Sequence, residues 1–386
     1  MKQTRELLRQ KTLERLNITE ELSEEQILTE IEHVILAYGK ENYLPLEEKC
    51  TLKEEILNSI RGYDVLEELL RDDEVTEIMV NGYQTIFYEK SGRLYLWEKQ
   101  FATEERLFDV IQKMAAGANR IVNESSPVAD TRLEDGSRVN IVLPPAALDG
   151  PAVTIRKFSK KAYTMERLLE IGAISKEASD YLIRSVRDKK NIFISGGTGS
   201  GKTTFLNALS AYIPSDERVI TIEDAAELQI QTIPNLVRLE VRKATSEGCS
   251  AVTVQDLIRT ALRMRPSRII VGEVRGAEAL DMLQAMNTGH EGSLSTGHAN
   301  SAQDMISRLE TMVLQGSDIP IYAIKKQIAS AVDIFVHLTR RADGSRGVSE
   351  ICENAGLADG ELMLRTVFSF ERERLTRETD EKGGGK

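Results

Sequence analysis

Hydrophobic positions change their spacing twice along this chain. Up to about residue 60 they recur every three or four places: Ile27, Ile31, Val34 and Ile35 form one helical stripe with acidic residues between them. Ser23-Glu24-Glu25-Gln26 reads as a capping box at the start of that helix. Residues 1–62 are therefore expected to be a helical extension. From about Gly62 the pattern becomes strand-like. Thr76–Val80 and Thr85–Glu89 flank an Asn81-Gly82 turn signal, and Arg93–Trp97 follows. A helix is expected over 104–118. Short strands are expected at Arg132-Leu133, Val139–Val142 and Val153–Arg156. Residues 63–158 thus read as a small α+β domain. A connector, 159–175, is basic at Lys160-Lys161 and helical from Met165 to Ile171. Beyond it, buried strands (Asn191–Ser195, Arg218–Ile222, Arg268–Gly272, Ser293–Thr296) alternate with helices (203–209, 279–286, 302–314). Such alternation argues for a parallel sheet covered by helices over 176–380. Asp343-Gly344 signals a late antiparallel hairpin, and the glycine-rich tail, 381–386, is expected to be disordered.

Composition narrows the class. At 386 residues the chain is long enough for two or three domains. Its 41% hydrophobic and 29% charged content is that of a globular protein. A net charge of −11 disfavours broad contact with nucleic acid. Cys50, Cys249 and Cys352 lie far apart with no C-x-x-C pair, which points away from a zinc module and toward a reducing cytoplasm. Met1–Leu16 lacks the apolar core of a signal peptide, and no run reaches membrane-spanning length. Any membrane role is expected to come through a partner.

Gly196-Gly197-Thr198-Gly199-Ser200-Gly201-Lys202-Thr203 carries the most chemistry. It matches G-x-x-x-x-G-K-[ST], with a strand before it and a helix, beginning Thr203-Thr204, after it. Glycines let backbone N–H groups turn inward around a phosphate chain, and the helix N-terminus adds a positive dipole end. Lys202 is expected to reach the β- and γ-phosphates, and the Thr203 hydroxyl to bind Mg²⁺. ATP and Mg²⁺ are the expected cofactors.

Further candidates follow at strand ends, where a parallel sheet presents side chains to ligand. Ile220–Glu227 ends a hydrophobic strand in Glu223 and Asp224, where a carboxylate could orient the attacking water or bind Mg²⁺ through water; Asp224 joins Thr203 and Glu273 as an expected metal ligand. Arg268–Gly276 resembles a Walker B strand ending in Glu273, whose role is divided between Mg²⁺ coordination and water activation. Thr288–Asn300 holds His290 and His298 around a Gly-rich turn and a strand. Either could contact a γ-phosphate; a zinc pair lacks further ligands nearby. Arg132, Arg138, Arg156 and Arg238 are candidate cations for a transferring phosphoryl group, though any of them could equally be a surface arginine.

In these clusters the chain resembles the secretion ATPases of the type II/type IV superfamily, and most of all the CpaF/TadA branch that powers Tad (Flp-type) pili. The resemblance runs from about Gly62 to Phe370. It covers Ile78–Gly82, Asp135–Asn140, Thr154–Phe158, the phosphate loop, the acidic box at Glu223-Asp224, Leu262–Pro266 leading to Glu273, and the histidine box from Thr288 to Asn300. The resemblance implies a RecA-like ATPase domain behind a PAS-like α+β domain. It also implies a homo-hexameric ring at the cytoplasmic face of the inner membrane, and a polytopic platform protein that turns domain motion into pilus assembly or retraction. On this chain it assigns Lys202 and Thr203 to phosphate and Mg²⁺, Glu223 and Glu273 to water and metal, and His290 and His298 to sensing the γ-phosphate. It makes Arg132, Arg138, Arg156 and Arg238 candidates for completing the site.

The chain departs from the family pattern in two places. The tetracysteine module of the general secretion branch is missing, and Gly297 precedes His298 where a bulkier residue is common, which would loosen the histidine. A DNA-transfer or helicase-like motor is the alternative reading, and a nucleotide-gated scaffold a third; the intact acids at 223 and 273 speak against the scaffold. No N-K-x-D guanine signature occurs.

Overall fold

The computed structural model describes residues 2–16, 22–90, 92–118, 120–158, 163–242, 250–341, 343–371 and 374–377. The expected features at Lys160-Lys161 and in the 381–386 tail lie outside the described residues. The chain forms two compact units, Met1–Lys160 and Lys161–Lys386.

The first unit opens with α1 (Lys2–Arg15), α2 (Glu24–Glu41) and α3 (Leu46–Arg61). They meet through a core of their own that includes Leu8, Ile31, Leu52 and Ile56. Ser23 caps α2 as its sequence suggests: its hydroxyl accepts from the Gln26 N–H while the Gln26 side chain accepts from the Ser23 N–H. A 3₁₀ turn and the short α4 (Glu67–Arg71) lead to β1 (Val75–Asn81), β2 (Thr85–Lys90), β3 (Arg93–Leu96), α5 (Glu104–Gly117), β4 (Val128–Arg132), β5 (Arg138–Val142) and β6 (Ala152–Arg156). The six strands form one antiparallel sheet in the order β3-β2-β1-β6-β5-β4. One face is apolar: Ile78, Val80, Ile86, Val139, Ile141, Val153 and Ile155 bury against Leu107, Ile111 and Met114 of α5. Strand alternation turns every second residue to the other face.

The second unit begins with α6 (Met165–Glu170) and α7 (Lys176–Arg187). Met165 and Leu168 of α6 already belong to this unit's core. Then come β7 (Ile192–Gly196), α8 (Lys202–Ser210), β8 (Val219–Glu223), β9 (Leu236–Glu240), α9 (Val254–Ala261), β10 (Arg268–Val271), α10 (Glu278–Asn287), β11 (Leu294–Gly297), α11 (Ala302–Gly316), α12 (Ile321–Ala331), β12 (Ile334–Arg340), β13 (Arg346–Ala358), β14 (Glu361–Glu371) and β15 (Arg374–Arg377). They build a nine-stranded sheet in the order β15-β14-β13-β12-β7-β11-β10-β8-β9. The run from β12 to β9 is parallel, and β13 to β15 add antiparallel strands at one edge. β7, β8, β10 and β11 are buried along their whole length, as expected where helices cover both faces. Two apolar cores, one on each side, do the covering. Among the described residues no helix is long and apolar enough to cross a membrane.

Candidate functional site at the carboxyl ends of the parallel strands

The phosphate loop leaves β7 at Gly196 and enters α8 at Lys202. Gly196 has φ 157° and lies so close to β12 that a Cβ there would come within 2.4 Å of the Leu338 carbonyl oxygen. Gly199 and Gly201 have φ 69° and 95°, in the left-handed region that favours glycine. Cβ atoms on Gly197, Gly199 and Gly201 would meet nothing within 4 Å, so the loop's rim is open. Thr198 and Ser200 complete it; the Ser200 hydroxyl is buried with no hydrogen-bond partner. Lys202 curls back over the loop, its Nζ donating to the carbonyls of Gly196 (3.2 Å) and Gly197 (3.0 Å). Burial pushes its pKa down, against the pull of Glu273. Thr203 and Thr204 sit in the first turn of α8, half-buried.

Three neighbouring strands bring the acids and one histidine to this end. His298 follows β11. Its Nδ1 lies 3.3 Å from Lys202 Nζ, and its Nε2 lies 2.6 Å from Glu273 Oε1 without hydrogen-bond alignment. As Nδ1 can only accept from the ammonium, the ring proton sits on Nε2. Burial lowers the His298 pKa, and Lys202 and Arg275 lower it further; Glu273 opposes them. Gly297 is closely packed, since a Cβ there would come 3.0 Å from both Met305 and Phe193. The His298 ring is contacted on both nitrogens.

Glu223 ends β8 and is only 4% exposed. Its Oε2 accepts the backbone N–H groups of Glu227 (2.8 Å) and Leu228 (2.9 Å), while Oε1 is buried with no partner. Burial raises its pKa; the two backbone bonds and the Arg238 cation on neighbouring β9 oppose the rise. Gly272 lets this carboxylate pass: a Cβ there would stand 3.0 Å from Glu223 Cγ.

Arg275 was not singled out in the sequence, although it lies two residues beyond Glu273. Its guanidinium meets Glu273 Oε2 at 2.6 Å and Asp224 at 3.6 Å, bridging two of the three expected metal ligands.

The structure does not bring every candidate to the loop. His290 precedes β11, and Ser293, just after it, accepts and donates at the start of β7 and β10: its N–H donates to Asn191 Oδ1. The five residues of β7 rise roughly 3.3 Å each, so about 15 Å of strand separate that end from the loop. There His290 Nδ1 donates to the Ala285 carbonyl, 3.2 Å away in the last turn of α10. Arg132, Arg138 and Arg156 belong to the first unit. Arg138 pairs in register with Arg132 on one side and Arg156 on the other, so three guanidiniums form a row across β4, β5 and β6. Glu77 of β1, the next position in that row, lies 4.0 Å from Arg156.

A triphosphate with Mg²⁺ fits the residues present. The loop rim is open, and Ser200 Oγ, Glu223 Oε1 and Glu273 Oε1 are buried without hydrogen-bond partners. Oxygen donors suit a hard cation. No group of three or more metal-ligating side chains occurs among the described residues. A Mg²⁺ ion here would share its coordination with phosphate and water, as this ion commonly does.

Fold and site together define a P-loop nucleotide-binding protein with a RecA-like sheet. The family described as Type II/IV secretion system protein matches residues 60–371. A Mycobacterium tuberculosis protein named for conjugal transfer is 35% identical over 319 residues, which cover 81% of this chain and 90% of that protein. The type IV secretion system protein VirB11 of Brucella suis biovar 1 is 35% identical over 311 residues, 73% of this chain and 86% of its own length. Among solved structures, the ATPase DotB of Yersinia pseudotuberculosis shares the fold with TM-score 0.57 at 20% identity, over 76% of this chain and 79% of that one. The chain belongs to the type II/IV secretion system family, and it is a nucleotide-binding ATPase.

Proposed function

We infer that this ATPase works as a homo-hexameric ring at the cytoplasmic face of the inner membrane, driving a Tad/Flp-type pilus or related secretion machine through a polytopic platform protein. One observation carries the hydrolytic part of that reading: Lys202, His298 and Glu273 meet at the mouth of an open phosphate loop. The Tad/Flp assignment is supported by the ordered motifs from Ile78 to Asn300.

In this reading the loop amides of Gly196–Gly201 and Lys202 hold the phosphates, with Thr203 and Thr204 at the helix N-terminus. Thr203, Glu273 and Asp224 would hold Mg²⁺, which when bound neutralises charge on the β- and γ-phosphates and polarises the reacting phosphoryl group. Glu223, with one oxygen fixed by backbone and the other available, orients or deprotonates the attacking water. His298 reports phosphate loss to β11 through its contacts with Lys202 and Glu273. Arg238 moderates the acidity of Glu223. The row Arg132-Arg138-Arg156 supplies cations toward phosphate in the assembled ring, because a row of like charges draws anions.

Lys202→Ala tests the core of this. ATP turnover measured by phosphate release should fall about 10²–10³-fold with an unchanged melting temperature; wild-type turnover would remove the loop from the mechanism. Ring formation is checked by light scattering with and without a non-hydrolysable ATP analogue. A DNA-transfer motor is the second reading, favoured by the name of the M. tuberculosis relative. DNA-stimulated turnover would support it, and the net charge of −11 weighs against direct contact with DNA.

A further inference from the structure

His337 is a buried imidazole that none of the roles above uses. It lies on β12, 7% exposed, and pairs in register with Ser195, the residue before the phosphate loop. Its Nδ1 is 2.8 Å from Ser195 Oγ. The serine hydroxyl also reaches the Val336 carbonyl, at 3.4 Å. The ring tautomer sets the direction: either Oγ–H donates to Nδ1, or Nδ1–H donates to Oγ while Oγ–H donates to Val336. Lys202 of α8, Glu350 of β13 and Asp304 of α11 are the charged groups that act on the ring. Burial dominates and holds the imidazole neutral.

The next residue on β12 bears on the same loop. Leu338 pairs with Gly196, and its carbonyl is the atom that a Cβ at Gly196 would strike. Two consecutive β12 residues thus meet the two residues from which the loop springs: His337 holds Ser195 by its side chain, and Leu338 walls Gly196 by its backbone. β12 is itself tied down on the far side, where Ser349 Oγ of β13 donates to the His337 carbonyl.

We propose that His337 is a positioning residue for nucleotide binding, seating the phosphate loop through the hydroxyl of Ser195. It touches no phosphate. It fixes the exit direction of the chain from β7, and so the direction in which the amides of Gly196 and Gly197 point. The proposal rests on the nucleotide site described above.

The test uses the full chain, with MgADP affinity by calorimetry and steady-state ATP turnover. His337→Leu fills the space but leaves Ser195 without its near partner. His337→Asn places an amide, which can accept or donate, close to the position of Nδ1. His337→Leu should weaken MgADP binding and raise KM for ATP about fivefold, the worth of one hydrogen bond, with kcat changed less. His337→Asn should restore most of both. Ser195→Ala should weaken binding to a similar degree, and adding His337→Leu to it should cost little more. Equal behaviour of the Leu and Asn variants, or additive effects of the Ser195 and His337 substitutions, would overturn the proposal. Wild-type chain that fails to bind MgADP would instead sink the nucleotide site itself. Should His337→Leu not fold, Ser195→Ala with and without His337→Asn closes the same cycle.

Discussion

His298 Nε2 stands 2.6 Å from Glu273 Oε1, joining the end of β11 to the acid two residues beyond β10, while the opposite ring nitrogen faces Lys202. The acid thus has a histidine on one oxygen and Arg275 on the other. Glu273→Gln keeps the shape and removes the charge. It should bind ATP and hydrolyse it about 10²–10⁴-fold more slowly, the range for loss of an acid–base group. Single-turnover hydrolysis checks this; a wild-type rate would make Glu273 neither base nor essential ligand.

Arg275 sets the charge of the expected metal site. Its guanidinium lies between Glu273 and Asp224, and both acids are assigned to Mg²⁺. Removing it leaves two carboxylates with a stronger pull on a cation. Arg275 is mostly exposed, so the effect is that of a solvent-screened pair. Arg275→Ala should lower the half-saturating Mg²⁺ concentration for ATP turnover about two- to fivefold. A rise would mean that Arg275 helps to build the metal site instead of competing for it.

Local pattern carried the fold to different depths. Each buried strand of the ATPase unit from β7 to β11, except β9, was visible as an apolar run bounded by turn residues. β9 was not: Leu236–Glu240 alternates with charged residues on an edge strand, and only its pairing with β8 defines it. The loop and its acids were legible because their chemistry is written in consecutive residues. The Ser195–His337 bond was not, since 142 residues separate the partners and no local signal marks either. Proximity in sequence also misled. His290 and His298 look like one cluster, but β11 runs between them and delivers them to opposite ends of the sheet. In the same way the arginines at 132, 138 and 156 were scattered candidates until strand register aligned them.

That alignment has a thermodynamic signature. Like charges opposite one another in an antiparallel pair are destabilising, so the repulsion lost with the middle one offsets the loss of its own contacts. Arg138→Ala should leave the melting temperature little changed. If the row serves the phosphoryl group, ATP turnover should fall at least tenfold, and up to the roughly 10³–10⁵ lost with a finger arginine. Thermal denaturation beside steady-state turnover separates the cases. A lower melting temperature with full activity would make Arg138 a structural residue.

His290 makes the converse case. Its Nδ1 donates to the Ala285 carbonyl in the last turn of α10, which the Thr288 N–H also reaches at 3.3 Å and where the dipole is negative. The ring therefore stabilises a helix end at the edge of the sheet opposite the loop. His290→Ala should cost about 0.5–1.5 kcal/mol, the net worth of one hydrogen bond. For a unit of this size that is a fall of roughly 1–6 °C in melting temperature. kcat/KM for ATP should stay within about twofold of wild type. His298→Ala, at the loop end of the same strand, should show the reverse: little thermal change and a turnover loss of at least tenfold. A His290→Ala protein with wild-type melting and crippled turnover would assign that histidine to nucleotide chemistry, reached from a neighbouring copy in the proposed ring, and would reverse the division of labour between the two histidines.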